Sequence, residues 1–170
     1  YKGVDFALDV IAQLIHQHKL NKFHFIYCGD GPDLDYLKTM AQTLAIDKQV
    51  SFLGRVNNID QILGVCHIAF HPSRGEVGYS LAILEYMRAG LPVVVSDNPS
   101  VCEATTHEAD GLIYRENDSE SAAQKLITLL SNEELRKAMG LRGKKAVQEK
   151  YSLTMSHTKL ISALKSILNR

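Results

Sequence analysis

The sequence has little of what marks secreted, metal-binding and membrane-spanning proteins. It contains three cysteines among 170 residues, too few and too scattered for a disulfide framework, and no two of them form a CxxC pair. No apolar run reaches the length of about 18 residues that a membrane span needs, and no signal peptide is evident. We therefore expect reduced thiols in a cytoplasmic protein, with no bound metal and no cofactor.

The formal net charge is zero, but the charges are distributed unevenly along the chain. Residues 131–170 contain nine Lys and Arg against three Glu, which leaves +6 there and −6 over residues 1–130. The basic segment could face acidic lipid or a partner domain, or it could be the solvated face of a helix. Because the chain has 45% hydrophobic residues and contains no repeats or linkers, we expect one domain.

Short apolar runs alternate with helical patterns along the whole chain. Strands are predicted at residues 23–28, 50–53, 68–70, 92–95 and 111–114, and the intervening segments have helical length and spacing. Unbroken apolar runs are typical of strands covered on both faces. The sequence therefore predicts an α/β fold, a Rossmann-like doubly wound parallel sheet of about five or six strands with helices on both faces.

Several polar residues are predicted to begin helices. Asp33 and Asp118 each precede a helical segment, and capping-box patterns occur at residues 100–103 and 131–134. Gly90 follows the helix predicted at residues 79–89 and is expected to end it.

Residues 71–97 organise the chain, because they join two buried strands through a glycine-bearing loop and a helix. Ligands of open parallel sheets bind at the carboxyl ends of the strands, where such loops lie. Gly75 and Gly78 let the backbone approach a ligand closely. His71, at the start of this segment, either lines the site or belongs only to the strand. We expect a binding site in this loop.

The chemistry of the loop favours a particular kind of ligand. The free amides around residues 79–81 offer an anion site that the helix dipole strengthens. Glu76 and Glu85 lie on either side of these amides, and carboxylates accept hydrogen bonds from hydroxyl groups. Amides beside carboxylates suit a ligand with both phosphate and polyhydroxyl parts, such as a nucleotide sugar.

The stretch resembles the donor-site segment of retaining glycosyltransferases with the GT-B fold, particularly glycosyltransferase family 4 (glycosyl transferases group 1). The matching residues are Pro72-Ser73, Gly78-Tyr79, Glu85, Gly90 and Pro92-Val93-Val94. There are two departures from the family pattern. Ser80 stands where a second glycine is usual, and eight residues rather than seven separate Glu76 from Glu85, so strict counting reaches Val77. Either the loop bulges and Glu76 still reaches the sugar, or its role has lapsed.

Three further segments are similar to the family's donor site. Lys2-Gly3 resembles the family's Lys-Gly opening, whose lysine meets the donor diphosphate, although Lys2 could be an ordinary surface residue. Gly29-Asp30-Gly31-Pro32 matches a turn near the donor, and it could equally be a tight turn with no ligand. Gly54-Arg55-Val56 resembles a segment that holds the base, although a lone Arg55 is often only a surface residue.

The resemblance implies that residues 1–170 form the C-terminal, nucleotide-sugar-binding domain of a retaining glycosyltransferase. Such an enzyme transfers a hexose from a nucleotide-diphosphate sugar to an acceptor hydroxyl without a bound metal, because helix amides and basic residues stabilise the diphosphate. The implied catalytic residues are Glu76 and Lys2. The implied donor-binding residues are Gly29, Gly31, Arg55, Gly78, Tyr79, Ser80, Leu81 and Glu85.

The resemblance also implies partners beyond the donor. A glycan, lipid or small-molecule acceptor would bind an N-terminal domain that is absent from this chain, so we expect these residues alone not to transfer sugar. Nucleic acid is not an expected partner. The whole protein is expected to associate peripherally with a membrane. The alternatives are a non-catalytic nucleotide- or sugar-binding module and a flavodoxin-like interaction domain.

Overall fold

The computed structural model describes residues 2–76, 80–151 and 153–168. The helices are α1 (Val4–His16), α2 (Leu34–Thr43), α3 (Ile59–Leu63), α4 (Leu81–Arg88), α5 (Pro99–Cys102), α6 (Ser119–Leu130), α7 (Glu133–Lys150) and α8 (Leu153–Leu168), with a 3₁₀ turn at Asp47–Gln49. The strands are β1 (Phe25–Tyr27), β2 (Val50–Phe52), β3 (Ala69–His71), β4 (Val93–Ser96) and β5 (Gly111–Tyr114). The predicted α/β fold class is confirmed, and all five predicted strands are found.

The five strands pair only in parallel, but their hydrogen bonds divide them into two groups. β1 pairs with β2, with Phe25 opposite Val50, whereas β4 lies between β3 and β5. Among the described residues, β1 and β3 do not pair with each other. The chain passes from β2 to β3 through α3, and β2 and β3 do not pair either. The predicted sheet is therefore present as a two-stranded and a three-stranded part.

Helices cover both faces of the three-stranded part. Successive side chains of a strand point to opposite faces, and β4 follows this rule with every residue buried. Val94 packs into a core cluster with residues of α1, α2 and α6, whereas Val93 and Val95 pack with Ile83 and Met87 of α4. The first cluster also contains Val50 of β2, so both groups of strands share it.

The caps of the helices differ in part from those predicted. The Asp118 carboxylate accepts a hydrogen bond from the amide of Ser121, as expected, but Asp33 makes no capping bond with its side chain. Residues 100–103 and 131–134 do not act as capping boxes. Asn98 caps α5, whose first residue is Pro99, and Asn132 caps α7. Ser131 belongs instead to the end of α6.

The three cysteines lie at intermediate depth. Cys28, Cys66 and Cys102 are all half-buried and free, and burial raises the pKa of each thiol. In the part of the chain that the structure describes, no helix is both long and apolar enough to span a bilayer.

Candidate functional site

The loop after β3 lies at the carboxyl end of the three-stranded sheet, as the sequence predicted. His71 is the last residue of β3, and Ser80 is the N-cap of α4 with an extended backbone. Both side chains are buried, at 7% exposure each. Val77, Gly78 and Tyr79 lie outside the described residues, so the predictions for Gly78 and Tyr79 stay predictions.

Gly3 brings the start of the chain to this loop. It is buried in the left-handed region, with φ +67°, and a Cβ atom there would overlap the carbonyl oxygen of Pro72. Only glycine fits this close approach without strain. Because Gly3 is pressed against Pro72, its neighbour Lys2 lies next to the loop.

Lys2 and Glu76, the two predicted catalytic residues, form a close ion pair. The Lys2 Nζ lies 2.9 Å from both carboxylate oxygens of Glu76. The Glu76 side chain is 10% exposed, whereas that of Lys2 is 57% exposed. Burial alone would raise the pKa of Glu76, but hydrogen bonds from Lys2 and His71, with the nearby Ser73 hydroxyl, outweigh it and hold that pKa below its ordinary value. Glu76 is therefore ionised at neutral pH.

His71, which is buried, contacts the same carboxylate. Its Nε2 lies 2.9 Å from Oε1 of Glu76 and 3.3 Å from Oγ of Ser80. An ionised carboxylate can only accept hydrogen bonds, so Nε2 of His71 carries the hydrogen and donates the bond. Burial and the nearby Lys2 lower the pKa of His71, although Glu76 opposes them. The imidazole is therefore neutral at pH 7.

Hydrogen bonds and an ion pair fix the backbone of the loop. The amide of Glu76 donates to Oγ of Ser100, at 3.1 Å, and the hydroxyl of Ser73 donates to the carbonyl of Gly75, at 2.8 Å. The guanidinium of Arg74 lies 2.8 Å from the carboxylate of Asp5 in the first turn of α1. The position of Glu76 is thus set by contacts with α1, α5 and β3.

The turns after β1 and β2 lie side by side. The amide of Gly29 donates to the carbonyl of Gly54, at 2.8 Å, and the amide of Gly31 donates to the carboxylate of Asp30, at 2.9 Å. A Cβ atom at Gly31 would meet nothing within 4 Å. Arg55, the next residue after Gly54, is exposed. Among the described residues, no side-chain hydrogen bond joins these turns to Glu76.

The anion site predicted at residues 79–81 falls at the start of α4, where the amides of Ser80 and Leu81 lie within the described residues. The helix has eight residues, and the side chain of Leu81 is 74% exposed at its start. Glu85 is half-buried one turn further along. Within the described residues, no hydrogen bond or ion pair reaches the Glu85 carboxylate, which leaves it available to a ligand hydroxyl.

Two residues of this site were not assigned to it from the sequence alone. For His71, the sequence leaves open whether the side chain lines the site or belongs only to the strand. The available signal is its place at the last position of a buried strand, where a loop begins. Ser100 was interpreted only as part of a capping box, and nothing in its local sequence indicates that it binds a residue 24 positions away. No group of three or more His, Cys, Asp and Glu side chains that could hold a metal occurs in the described residues.

The fold and the site together define a class of protein. The Lys2–Glu76 ion pair, His71 and the start of α4 meet at the carboxyl edge of a parallel sheet. This edge is the usual ligand position of nucleotide-binding α/β domains. A sequence model of the family described as "Glycosyl transferases group 1" matches residues 1–146. The chain belongs to this glycosyltransferase family.

Individual relatives agree with this assignment. The chain is 29% identical over 123 residues to an N-acetyl-alpha-D-glucosaminyl L-malate synthase of Bacillus anthracis, a match that covers 72% of this chain and 32% of the relative. Among solved structures, a glycosyltransferase from Rickettsia africae superposes with a TM-score of 0.87 at 20% identity, over 99% of this chain and 45% of the other. Alr3699/HepE from Anabaena, solved in complex with UDP and glucose, superposes with a TM-score of 0.85 at 22% identity, over 98% and 45%.

These matches also show how much of the relatives the chain represents. It spans about a third of the length of the B. anthracis relative and less than half of the two solved structures. The structural likeness confirms the fold. The activity, substrates and partners of the whole protein are matters for proposal.

Proposed function

We propose that this chain is the donor-binding domain of a retaining glycosyltransferase that transfers a hexose from a nucleotide-diphosphate sugar to an acceptor hydroxyl. The observation that carries the proposal is the Lys2–Glu76 ion pair, with both side chains next to the start of α4 in a member of this family. A relative by fold has been solved with UDP and glucose, which supports a donor of this chemistry. The acceptor would bind the part of the protein that this chain does not include.

The diphosphate would bind the ammonium of Lys2 and the amides at the start of α4, including those of Ser80 and Leu81. Lys2 is more than half exposed, so its charge can reach a ligand, and helix amides receive anions without an added cation. As the bond to the sugar breaks, negative charge develops on the diphosphate, and these fixed donors stabilise it. Under this proposal no metal ion is needed.

The two carboxylates would take different parts of the donor. Glu85, half-buried in α4, would accept hydrogen bonds from the ribose hydroxyls, and Glu76 would accept them from the transferred sugar. Gly29, Gly31 and Arg55 would line the side of the base, where the turns after β1 and β2 meet. Without a ligand, Lys2 pairs with Glu76. The diphosphate would bind to a lysine whose position the fold already sets.

Calorimetric titration of the full-length protein with UDP-, GDP- and ADP-sugars tests the proposal. We expect one base to be preferred, the nucleoside diphosphate to bind on its own, and the nucleotide sugar to turn over when an acceptor is supplied. Absence of binding to every member of the panel would overturn the proposal.

A non-catalytic nucleotide- or sugar-binding module is the second candidate. The departures at Ser80 and in the spacing of Glu76 favour it over an unrelated function, because they change the catalytic side of the site and leave the amides and Glu85 in place. Binding of a nucleotide sugar by the full-length protein without hydrolysis or transfer, over a broad panel of acceptors, would favour this candidate.

The basic segment at residues 131–170 suggests how the whole protein could meet a lipid acceptor. We propose peripheral association with acidic membranes, driven by electrostatic attraction that salt would screen. Sedimentation of the full-length protein with phosphatidylserine vesicles and with neutral vesicles tests this. Equal binding to both would contradict it.

A further inference from the structure

His71 is buried where both departures from the family pattern meet. Its Nε2 lies 2.9 Å from Glu76, the carboxylate with the altered spacing, and 3.3 Å from Ser80, the residue in place of the usual glycine. The loop carries one more residue between the two glutamates than the family pattern has. A side chain that contacts both altered positions can link them.

We propose that His71 is a positioning residue that holds the Glu76 carboxylate against Lys2, and that it thereby compensates for the extra residue of the loop. The inference rests on the proposed function, since it assigns the contact of Glu76 with the sugar to this support. The imidazole is 8% exposed, and a hydrogen bond to a carboxylate is strong in such a dry environment. The attraction of Lys2 for Glu76 is screened by solvent, because the Lys2 side chain is 57% exposed.

The geometry is not that of a Ser-His-Glu catalytic triad. In a triad the imidazole uses one nitrogen for the serine and the other for the carboxylate. Here Nε2 faces both Glu76 and Ser80, so His71 cannot transfer a proton from the hydroxyl towards the carboxylate. Its single Nε2–H is directed at the carboxylate, with the Ser80 oxygen as a second, longer contact. The arrangement holds a charge in place.

The local packing keeps the ring in this orientation. The rings of His71 and Tyr86 meet edge to face, with centroids 6.2 Å apart, and β3 fixes the backbone of His71 through its pairing with β4. Among the described residues, the groups that face the imidazole are Glu76 and Ser80 at the polar side, Lys2 beyond the carboxylate, and Tyr86 on α4.

Two substitutions separate support of Glu76 from a general role in folding. His71→Leu removes the donor, whereas His71→Gln keeps an N–H at a similar reach. NMR titration of the Glu76 side-chain carboxyl carbon in the full-length protein should show a higher pKa in His71→Leu than in wild type, with most of the shift reversed in His71→Gln. This readout needs no ligand. An unchanged Glu76 pKa in a folded His71→Leu protein would overturn the proposal.

Kinetics with the nucleotide sugar that wild type prefers give the second test. We expect kcat to fall about tenfold in His71→Leu, the loss typical of one hydrogen bond to a charged group, and His71→Gln to recover most of it. Affinity for the nucleoside diphosphate should stay within about twofold, because the contact concerns the sugar. His24→Leu is the matched control, since it removes a histidine bonded to Ser51 at 2.8 Å, away from this loop.

A double-mutant cycle completes the design. If His71 acts through Glu76, then His71→Leu should cost little further turnover in a Glu76→Gln background. Additive losses would contradict the proposal even if His71→Leu is less stable. If wild type binds no nucleotide sugar, the proposed function fails, while the NMR titration still decides whether His71 supports the Glu76 charge.

Discussion

Helix α4 begins among polar side chains and ends among glycines. At its start, Ser80 lies against His71 and the Lys2–Glu76 pair, and the contacts are hydrogen bonds between side chains. At its end, Gly90 adopts φ +83° and its carbonyl group lies against Gly140 of α7, where a Cβ atom would overlap it. The polar end carries groups that can bind a ligand, whereas the glycine end is held by a close contact between two backbone segments.

The comparison teaches that function and stability are separated along one helix. Charged and polar groups that are only partly satisfied can exchange partners when a ligand arrives, which requires some exposure. Close packing of one backbone segment on another is stabilised by van der Waals contacts, and no ligand can replace these contacts. Substitutions at the polar end should therefore change binding and turnover more than stability, and substitutions at the glycine end should do the reverse.

The largest expected effect is at the glycine end. Gly140→Ala places a methyl group against the backbone carbonyl of Gly90, which cannot turn away, and should destabilise the domain by about 3 kcal/mol. Gly143→Ala, one turn later in α7, meets only ordinary contacts at 3.6 Å and should be neutral or slightly stabilising. Urea unfolding followed by circular dichroism measures both. Equal stability of the two variants would break the comparison.

Glu85→Ala should have the next largest effect, this time on binding. Loss of a hydrogen bond from the ribose to an ionised carboxylate weakens nucleotide binding by about 1.5–3 kcal/mol. A 2′,3′-dideoxy nucleotide should lose a similar amount with wild type and little more with the variant. If the two losses add in calorimetric titration, the Glu85 carboxylate does not contact the ribose.

Glu76→Gln should act on turnover more than on nucleotide affinity. We expect kcat of the full-length enzyme to fall at least tenfold, about 1.4 kcal/mol in barrier height, because the charge that contacts the sugar is gone. Affinity for the bare nucleoside diphosphate should be retained or increased, since the Glu76 charge no longer competes with the diphosphate for Lys2. Unchanged turnover would mean that the altered spacing has removed Glu76 from the reaction.

The sequence predicted the α/β class and the five strands, and it assigned Lys2, Glu76 and the start of α4 to one donor site. These depend on local patterns, such as apolar runs and glycines at turns, or on the family resemblance. It did not assign His71 and Ser100 to the site, because both contacts with Glu76 depend on tertiary structure. The caps at residues 100 and 131 were misplaced because in each case a serine and an asparagine compete for neighbouring positions.

The smallest expected effect is the dependence of stability on pH. Burial lowers the pKa of His71 below its ordinary value of 6.5, and Lys2 adds to this while Glu76 opposes it. As the pH falls, the unfolded chain therefore takes up a proton at His71 before the folded chain does. The contribution of His71 to the free energy of unfolding is complete above pH 6.5 and is lost as the pH falls below it. Tyr86 is the other titratable group against the ring, and it stays neutral there because burial raises its pKa to about 12.

Urea unfolding of wild type and His71→Gln at a series of pH values measures this contribution. The variant should lose less stability than wild type between neutral pH and the acid side of 6.5, because glutamine does not titrate. Parallel curves for the two proteins would show that the folded state accepts the proton as readily as the unfolded chain.

The most direct test of the central claim, that the Lys2–Glu76 pair marks the donor diphosphate site, is calorimetric titration of a Lys2→Ala variant. The full-length protein is titrated with the nucleoside diphosphate that wild type prefers, and Lys22→Ala, which removes an exposed lysine outside the site, is the control. We predict that Lys2→Ala weakens binding about tenfold and reduces its dependence on salt, as expected for loss of one charged contact, while the control binds as wild type does. Equal affinities of wild type and Lys2→Ala would contradict the claim.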